Sequence, residues 1–179
     1  MAGGEARHTQ APVVEEASSR RGCRHGRIVA SALTGREVDD GAHVGPLLDQ
    51  VSGTLVSLTG DGGYDQDRVY DSVVERHPEA AVIVPPRATA VPSEMAETEP
   101  TQRDRHLQLI AAHGRLSWQK MCGYTKRARA EAAIARWKQV IGDGLRSRTD
   151  ERRVTEVAVA AYALNRMLEL GRPNYVRIA

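Results

Sequence analysis

Four residues, Tyr124, Arg127, Glu131 and Lys138, combine reactive side chains with a spacing that can bring them together. Their offsets from Tyr124 are three, seven and fourteen. On an α-helix, at roughly 100° per residue, all four fall within an arc of about 60°. One helix face then presents a phenol, a guanidinium, a carboxylate and an ammonium in line. A carboxylate between two cations stays ionised, the form a metal takes. Beside that metal the cations can hold phosphates, Arg bidentately and Lys as a point charge. The same spacing also describes an exposed helix with Arg127–Glu131 as an ordinary i, i+4 pair.

A second constellation is Asp61-Gly62-Gly63-Tyr64-Asp65, which directly follows a strand-like run. In open α/β sheets the functional crevice lies at the carboxyl ends of strands. An Asp there can point into the crevice, and the glycines let another backbone or a ligand come close. The alternative is a tight turn that caps the following helix, with Asp65 as N-cap.

The elements that must position these residues are legible from periodicity and punctuation. Residues 28–33 and 54–59 read as strands, and 81–84 as a short, wholly apolar strand buried on both faces. Residues 43–51 carry Val44, Leu47, Leu48 and Val51 at helical spacing, and 66–76 read as a helix. Pro85-Pro86 ends the third strand, and the Ala, Pro, Thr and Glu-rich stretch 87–102 reads as a mobile loop. Helices are expected over 103–113, ended by Gly114, over 126–141, ended by Gly142 and Gly144, and over 151–170, ended by Gly171 and Pro173. The last carries an apolar stripe from Val154 to Leu168. The order is an α/β pattern with parallel pairing of the second and third strands. Residues 1–26, with Val13-Val14 as their one β-like pair, read as a disordered or degenerate arm.

Composition narrows the class. Of 179 residues, 41% are hydrophobic, aromatics are 4% and Phe is absent, so the core is built from Ala, Val, Leu and Ile. Net charge is +2, but it is unevenly spread. Between Arg36 and Glu99 thirteen acidic residues face four basic ones; between Arg103 and Arg153 thirteen basic residues face five acidic ones. An acid-rich half for a metal and a base-rich half for phosphates suit a nucleic-acid enzyme, although two solvated faces of opposite sign would look the same. Cys23 and Cys122 lack metal-type spacing and read as free thiols in a reducing compartment, with Cys122 a small buried residue. No apolar run approaches the roughly 18 residues of a membrane span, and none has signal-peptide length, so a cytoplasmic location is expected. The six His are scattered and read as surface or N-terminal residues. Trp137 faces away from the Tyr–Arg–Glu–Lys face and reads as core.

Taken in order, these landmarks resemble bacterial insertion-sequence transposases of the DDE class. Tyr124-x2-Arg127-x3-Glu131-x6-Lys138 is similar to that family's Y-R-E-K signature. "GRIVASALT" and "DDGAHVGPLLDQVSG" resemble the segment before its second catalytic Asp, and "LTGDGGYD" the strand that ends in it. The stretch from His113 to Arg148 resembles the helix with the catalytic Glu, and "EVAVAAYALNRMLELGRP" the closing helix. The likeness covers about residues 26–174. It implies a partial catalytic domain over 27–174, with 87–123 a variable, insertion-like segment and 175–179 a tail.

The resemblance further implies an RNase H-like α/β fold with C-terminal helices and metal-dependent phosphoryl transfer on DNA. The catalytic and metal-binding residues would be Asp61 and Glu131, with Mg²⁺ (or Mn²⁺) as cofactor. Tyr124, Arg127, Lys138, Arg115 and Trp118 would contact DNA, Trp118 by stacking on a base, although in a Phe-free chain Trp118 reads at least as well as a core aromatic. Partners would be the transposon's terminal inverted repeats and target DNA, in a nucleoid-associated protein. A homo-oligomer, or association with a full-length transposase, is also expected. The family uses three carboxylates, and no Asp precedes Asp39 here. Asp39 and Asp40 match a loop before the first helix, not the first catalytic position. The expectation is a fold incomplete at its N-terminus and a truncated transposase of impaired activity; the alternatives are a non-catalytic DNA-binding remnant and an unrelated RNase H-like nuclease. Without a first strand, 54–59 would expose backbone on one side unless the N-terminal arm or a partner chain fills the gap.

Overall fold

The computed structural model of the chain describes the backbone at 7–8 and 13–16 and residues 26–34 and 38–171 in full. Two short strands, β1 (Arg7–His8) and β3 (Leu33–Thr34), pair antiparallel. A three-stranded sheet has the order β2 (Val13–Glu16), β4 (Leu55–Thr59), β5 (Ala81–Ile83). β4 and β5 are parallel, as expected from the helix between them. β2 runs antiparallel along the other edge of β4, with Val13 opposite Thr59 and Glu16 opposite Leu55. The reading of 1–26 as a disordered or degenerate arm therefore does not hold for these four residues. The edge of β4 is a row of donors and acceptors, and an adjacent run of extended backbone satisfies it.

The first core lies under this sheet. A 3₁₀ turn (Asp40–His43) leads into α1 (Val44–Leu48), and α2 (Asp67–Arg76) connects β4 to β5. Val44, Leu48, Leu58, Val69, Val73 and Val82 are its centre, each almost fully buried. Tyr64 and Tyr70 are the aromatic members, so the Phe-free core is aliphatic with a phenolic border. The second core joins α5 (Ala128–Val140) to α6 (Asp150–Leu170) through Trp137, Val157, Ala160, Ala161 and Leu164. Trp137 is core, as read.

Two expectations need correction. Residues 28–33 do not form a strand of the main sheet. Ile28 is held by Asn165 of α6 instead: its N–H donates to Asn165 Oδ1 at 2.8 Å, and its carbonyl accepts from Asn165 Nδ2 at 2.7 Å. An Asn side chain here does what a neighbouring strand would do, so apolar sequence and extended backbone do not make a sheet member. The stretch 87–102, expected as a mobile loop, is tied down at Ser93 and Thr101. α3 (Gln102–His113) starts in a capping box between Thr101 and Asp104, and Asp104 also accepts from the N–H and hydroxyl of Ser93. Gln102 bonds the backbone at Val82 and Ala80, so α3 is fastened to β5. A further helix, α4 (Arg115–Met121), follows Gly114, whose positive φ of 78° turns the chain between the two.

Candidate active site

Asp61 stands just beyond β4, where the strand ends at Thr59. Its Oδ1 accepts from Gly63 N at 2.8 Å and starts a 3₁₀ turn (Gly62–Tyr64). The turn-capping alternative is thus realised, but by Asp61 rather than Asp65; α2 itself has Gln66 as N-cap, with no side-chain bond. Gly60 lets the turn close: a Cβ there would stand 2.8 Å from the ring of Tyr64.

The two acids of this turn have opposite fates. Asp65 is sealed, its side chain 0% exposed. It accepts from Arg103 Nε at 2.8 Å and from Arg87 N at 2.9 Å. Asp61 remains 41% exposed and directs Oδ2 toward Arg127 Nη2, 3.7 Å away.

Arg127 in turn bonds Glu131 through Nη1. The i, i+4 pair foreseen from spacing exists, and the same guanidinium reaches across to Asp61. Two acids distant in sequence therefore converge on one cation. Tyr124 belongs to this group: burial raises its phenol, the charge of Arg127 lowers it, and Asp61 and Glu131 raise it, for a net upward shift. A phenol held protonated is a hydrogen-bond donor.

The helix that was to carry all four residues in line begins later than expected. α5 starts at Ala128, and Tyr124 and Arg127 lie in a preceding 3₁₀ turn (Tyr124–Arg127). Gly123, at φ 72°, breaks the chain away from α4 and opens that turn. With three residues per turn, Tyr124 and Arg127 are eclipsed on one side. Lys138 is exposed, two turns beyond Glu131 and about 10 Å along the axis.

Trp118 is core, the alternative its sequence offered, and its place among the DNA contacts is a correction. It is fully buried, its ring 5.6 Å from that of Tyr124, and its indole N–H donates to His106 Nδ1 at 2.9 Å. It supports Tyr124 from inside, with no face left for a base. His106 is corrected with it. Half-buried rather than a surface residue, it donates from Nε2 to the carbonyl of Val82 at 2.7 Å. Accepting at Nδ1 while donating from Nε2 requires the neutral ring. Arg115 is exposed and donates to the carbonyl of Pro86 at 2.9 Å, which places it near the end of β5. Cys122 is half-buried, with its thiol raised by that burial; Cys23 lies outside the described residues.

Asp40, which the resemblance assigns to a loop before the first helix, is electrostatically coupled to Asp61. Burial pushes it up, and the charges of Asp39 and Asp61 add to the rise. For Asp39, burial acts upward, but bonds and charge from Gln66 and Arg68 prevail and hold it low. Asp39 and Asp40 do precede the first helix, as that match implies; their nearness to Asp61 depends on the packing of α1 on α2. Among the described residues, no group of three or more His, Cys, Asp or Glu side chains is placed to hold a metal ion. As they stand, Asp61 and Glu131 are turned onto Arg127 and do not form an open metal site.

A family model for a transposase DDE domain matches residues 23–166. No solved structure matches the chain. Among the described residues, no helix is long and apolar enough to cross a membrane.

Proposed function

The chain belongs to the transposase DDE domain family, and from that premise we propose that it carries out DNA strand cleavage and strand transfer at transposon ends, with Asp61 and Glu131 as its acidic pair on an RNase H-like scaffold. Membership ties the chain to transposition and to DNA as its partner, and the family conventionally uses a divalent metal. The observation that carries the finer reading is the convergence of Asp61 and Glu131 on Arg127 beside the carboxyl end of β4. That is where an open α/β sheet keeps its functional crevice.

In this reading Arg127 and Tyr124 bind a phosphate next to the acids, one as a charged fork and the other as a neutral donor. Lys138 and Arg115, both exposed, are further cations for the DNA backbone. Asp40 adds negative charge near Asp61. The metal expected is Mg²⁺ (or Mn²⁺).

The deciding experiment is Glu131→Gln, assayed on supercoiled plasmid carrying transposon ends in the presence of Mg²⁺. Cleavage disappears while DNA affinity, read by fluorescence anisotropy, is unchanged or higher. Equal cleavage by wild type and variant would reject the assignment of Glu131. A second reading, DNA binding without cutting, is favoured by one observation: among the described residues no third His, Cys, Asp or Glu is grouped with Asp61 and Glu131 to hold a metal ion. It predicts no metal-dependent cleavage by the wild-type chain.

A further inference from the structure

Two exposed carboxylates contributed by different elements rarely meet without a cation between them. Here that cation belongs to the protein. Arg127 contacts Asp61 Oδ2 with one terminal nitrogen and Glu131 Oε1 with the other. A single positive charge faces two negative ones, and Asp40 contributes further negative charge toward Asp61. The guanidinium therefore stands between the two acids and neutralises only part of their charge.

Arg127 is itself reachable, with its side chain 30% exposed between partners that are 41% and 56% exposed. A phosphate diester matches the same bidentate fork as a carboxylate. A phosphate arriving from solvent competes with the acids for Arg127 and, in taking it, leaves both carboxylates without a counter-charge.

From this arrangement, and resting on the DNA-processing reading above, we infer that Arg127 is a built-in counter-cation that keeps Asp61 and Glu131 from a divalent metal until a DNA phosphate draws it away. Metal and DNA then bind cooperatively. By linkage, each raises the affinity of the other by the same factor. Before DNA arrives the acids stay paired and metal-poor, which suppresses metal-dependent chemistry on water or on the wrong strand. Arg127 acts through the acids and the phosphate, so it is a positioning residue with a regulatory role.

The test is a Mn²⁺ titration of the full chain without DNA, read from the electron paramagnetic resonance signal of free Mn²⁺. Wild type, Arg127→Gln and the double variant Arg127→Gln/Glu131→Gln are compared, with circular dichroism verifying that each is folded. Arg127→Gln is expected to bind Mn²⁺ about five- to tenfold more tightly, the range set by the loss of exposed ion pairs. The double variant is expected to lose that gain.

A second arm measures binding of a fluorescein-labelled random-sequence duplex with and without Ca²⁺. Wild type is expected to gain on the order of tenfold in DNA affinity from the metal, and Arg127→Gln to show a smaller metal-dependent ratio. Equal Mn²⁺ affinity in folded wild type and Arg127→Gln overturns the inference, and so does a gain that survives removal of Glu131. Neither readout involves strand cleavage, so such a failure leaves the plasmid assay of Glu131→Gln to decide the functional reading separately.

Discussion

Asp61 and Asp65 stand four residues apart in one turn, and exchanging each in turn separates function from stability. Asp65 loses all exposure and binds the Arg103 side chain and the Arg87 backbone. Removing one partner of a buried ion pair costs about 3–5 kcal/mol, mostly because the other charge is stranded. Arg103 is 23% exposed, so water recovers part of that loss. The orphaned N–H of Arg87 adds about 1 kcal/mol. Asp65→Ala is therefore expected to destabilise by about 3 kcal/mol, a fall in Tm of about 6–12 °C for a domain of this size. Asp61→Asn leaves a side-chain oxygen to accept from Gly63 N, and Asn caps as well as Asp, so stability changes by less than about 1 kcal/mol. Thermal unfolding by circular dichroism measures the first effect and plasmid cleavage the second. Asp61→Asn should keep its Tm and lose cleavage, and Asp65→Ala should lose Tm. A Tm for Asp65→Ala within a degree of wild type would refute the buried-pair reasoning.

Two further outcomes follow from the same packing. Burial lowers the His106 pKa against the opposing pull of the Val82 carbonyl and of Asp65, so the folded state favours the neutral ring. The unfolded chain then binds more protons, and this contribution is present above the unfolded pKa of about 6.5 and lost as pH falls below it. Urea unfolding from pH 7.5 to 5 should show declining stability, and His106→Gln should flatten that slope. Gly60→Ala places a methyl 2.8 Å from the buried Tyr64 ring and should cost about 1–3 kcal/mol in urea midpoint measurements, with Asp61 displaced along with the turn.

Much of the scaffold was legible because its signals are local. β4, α2, β5 and α6 are bounded by glycines and prolines and carry the period of their element, and they lie within a residue or two of expectation. Asp61 was readable as the residue at the end of a strand. What failed depends on contacts. "IVASAL" has a strand's composition, yet Asn165 takes up the backbone of Ile28 where a neighbouring strand was expected. α4 has Trp118 as its one buried residue, so no apolar stripe announces it. The pairing of Arg127 with Glu131 is written in their spacing. The reach of Arg127 to Asp61 is not, because it arises only when the 3₁₀ turn of Tyr124–Arg127 packs against the end of β4.

The antiparallel flank of β4 bears on chain entropy. Pairing β2 with β4 closes a loop about twice as long as pairing β4 with β5, as the partners Val13 and Thr59, and Ser57 and Ala81, define them. Because closure entropy grows only with the logarithm of length, the longer loop costs about 0.6 kcal/mol more. Distance along the chain is thus a weak barrier to completing this sheet. What selects the neighbour of the strand leading to Asp61 is the fit of its register, including the irregularity at Glu15–Glu16, and not its nearness in sequence.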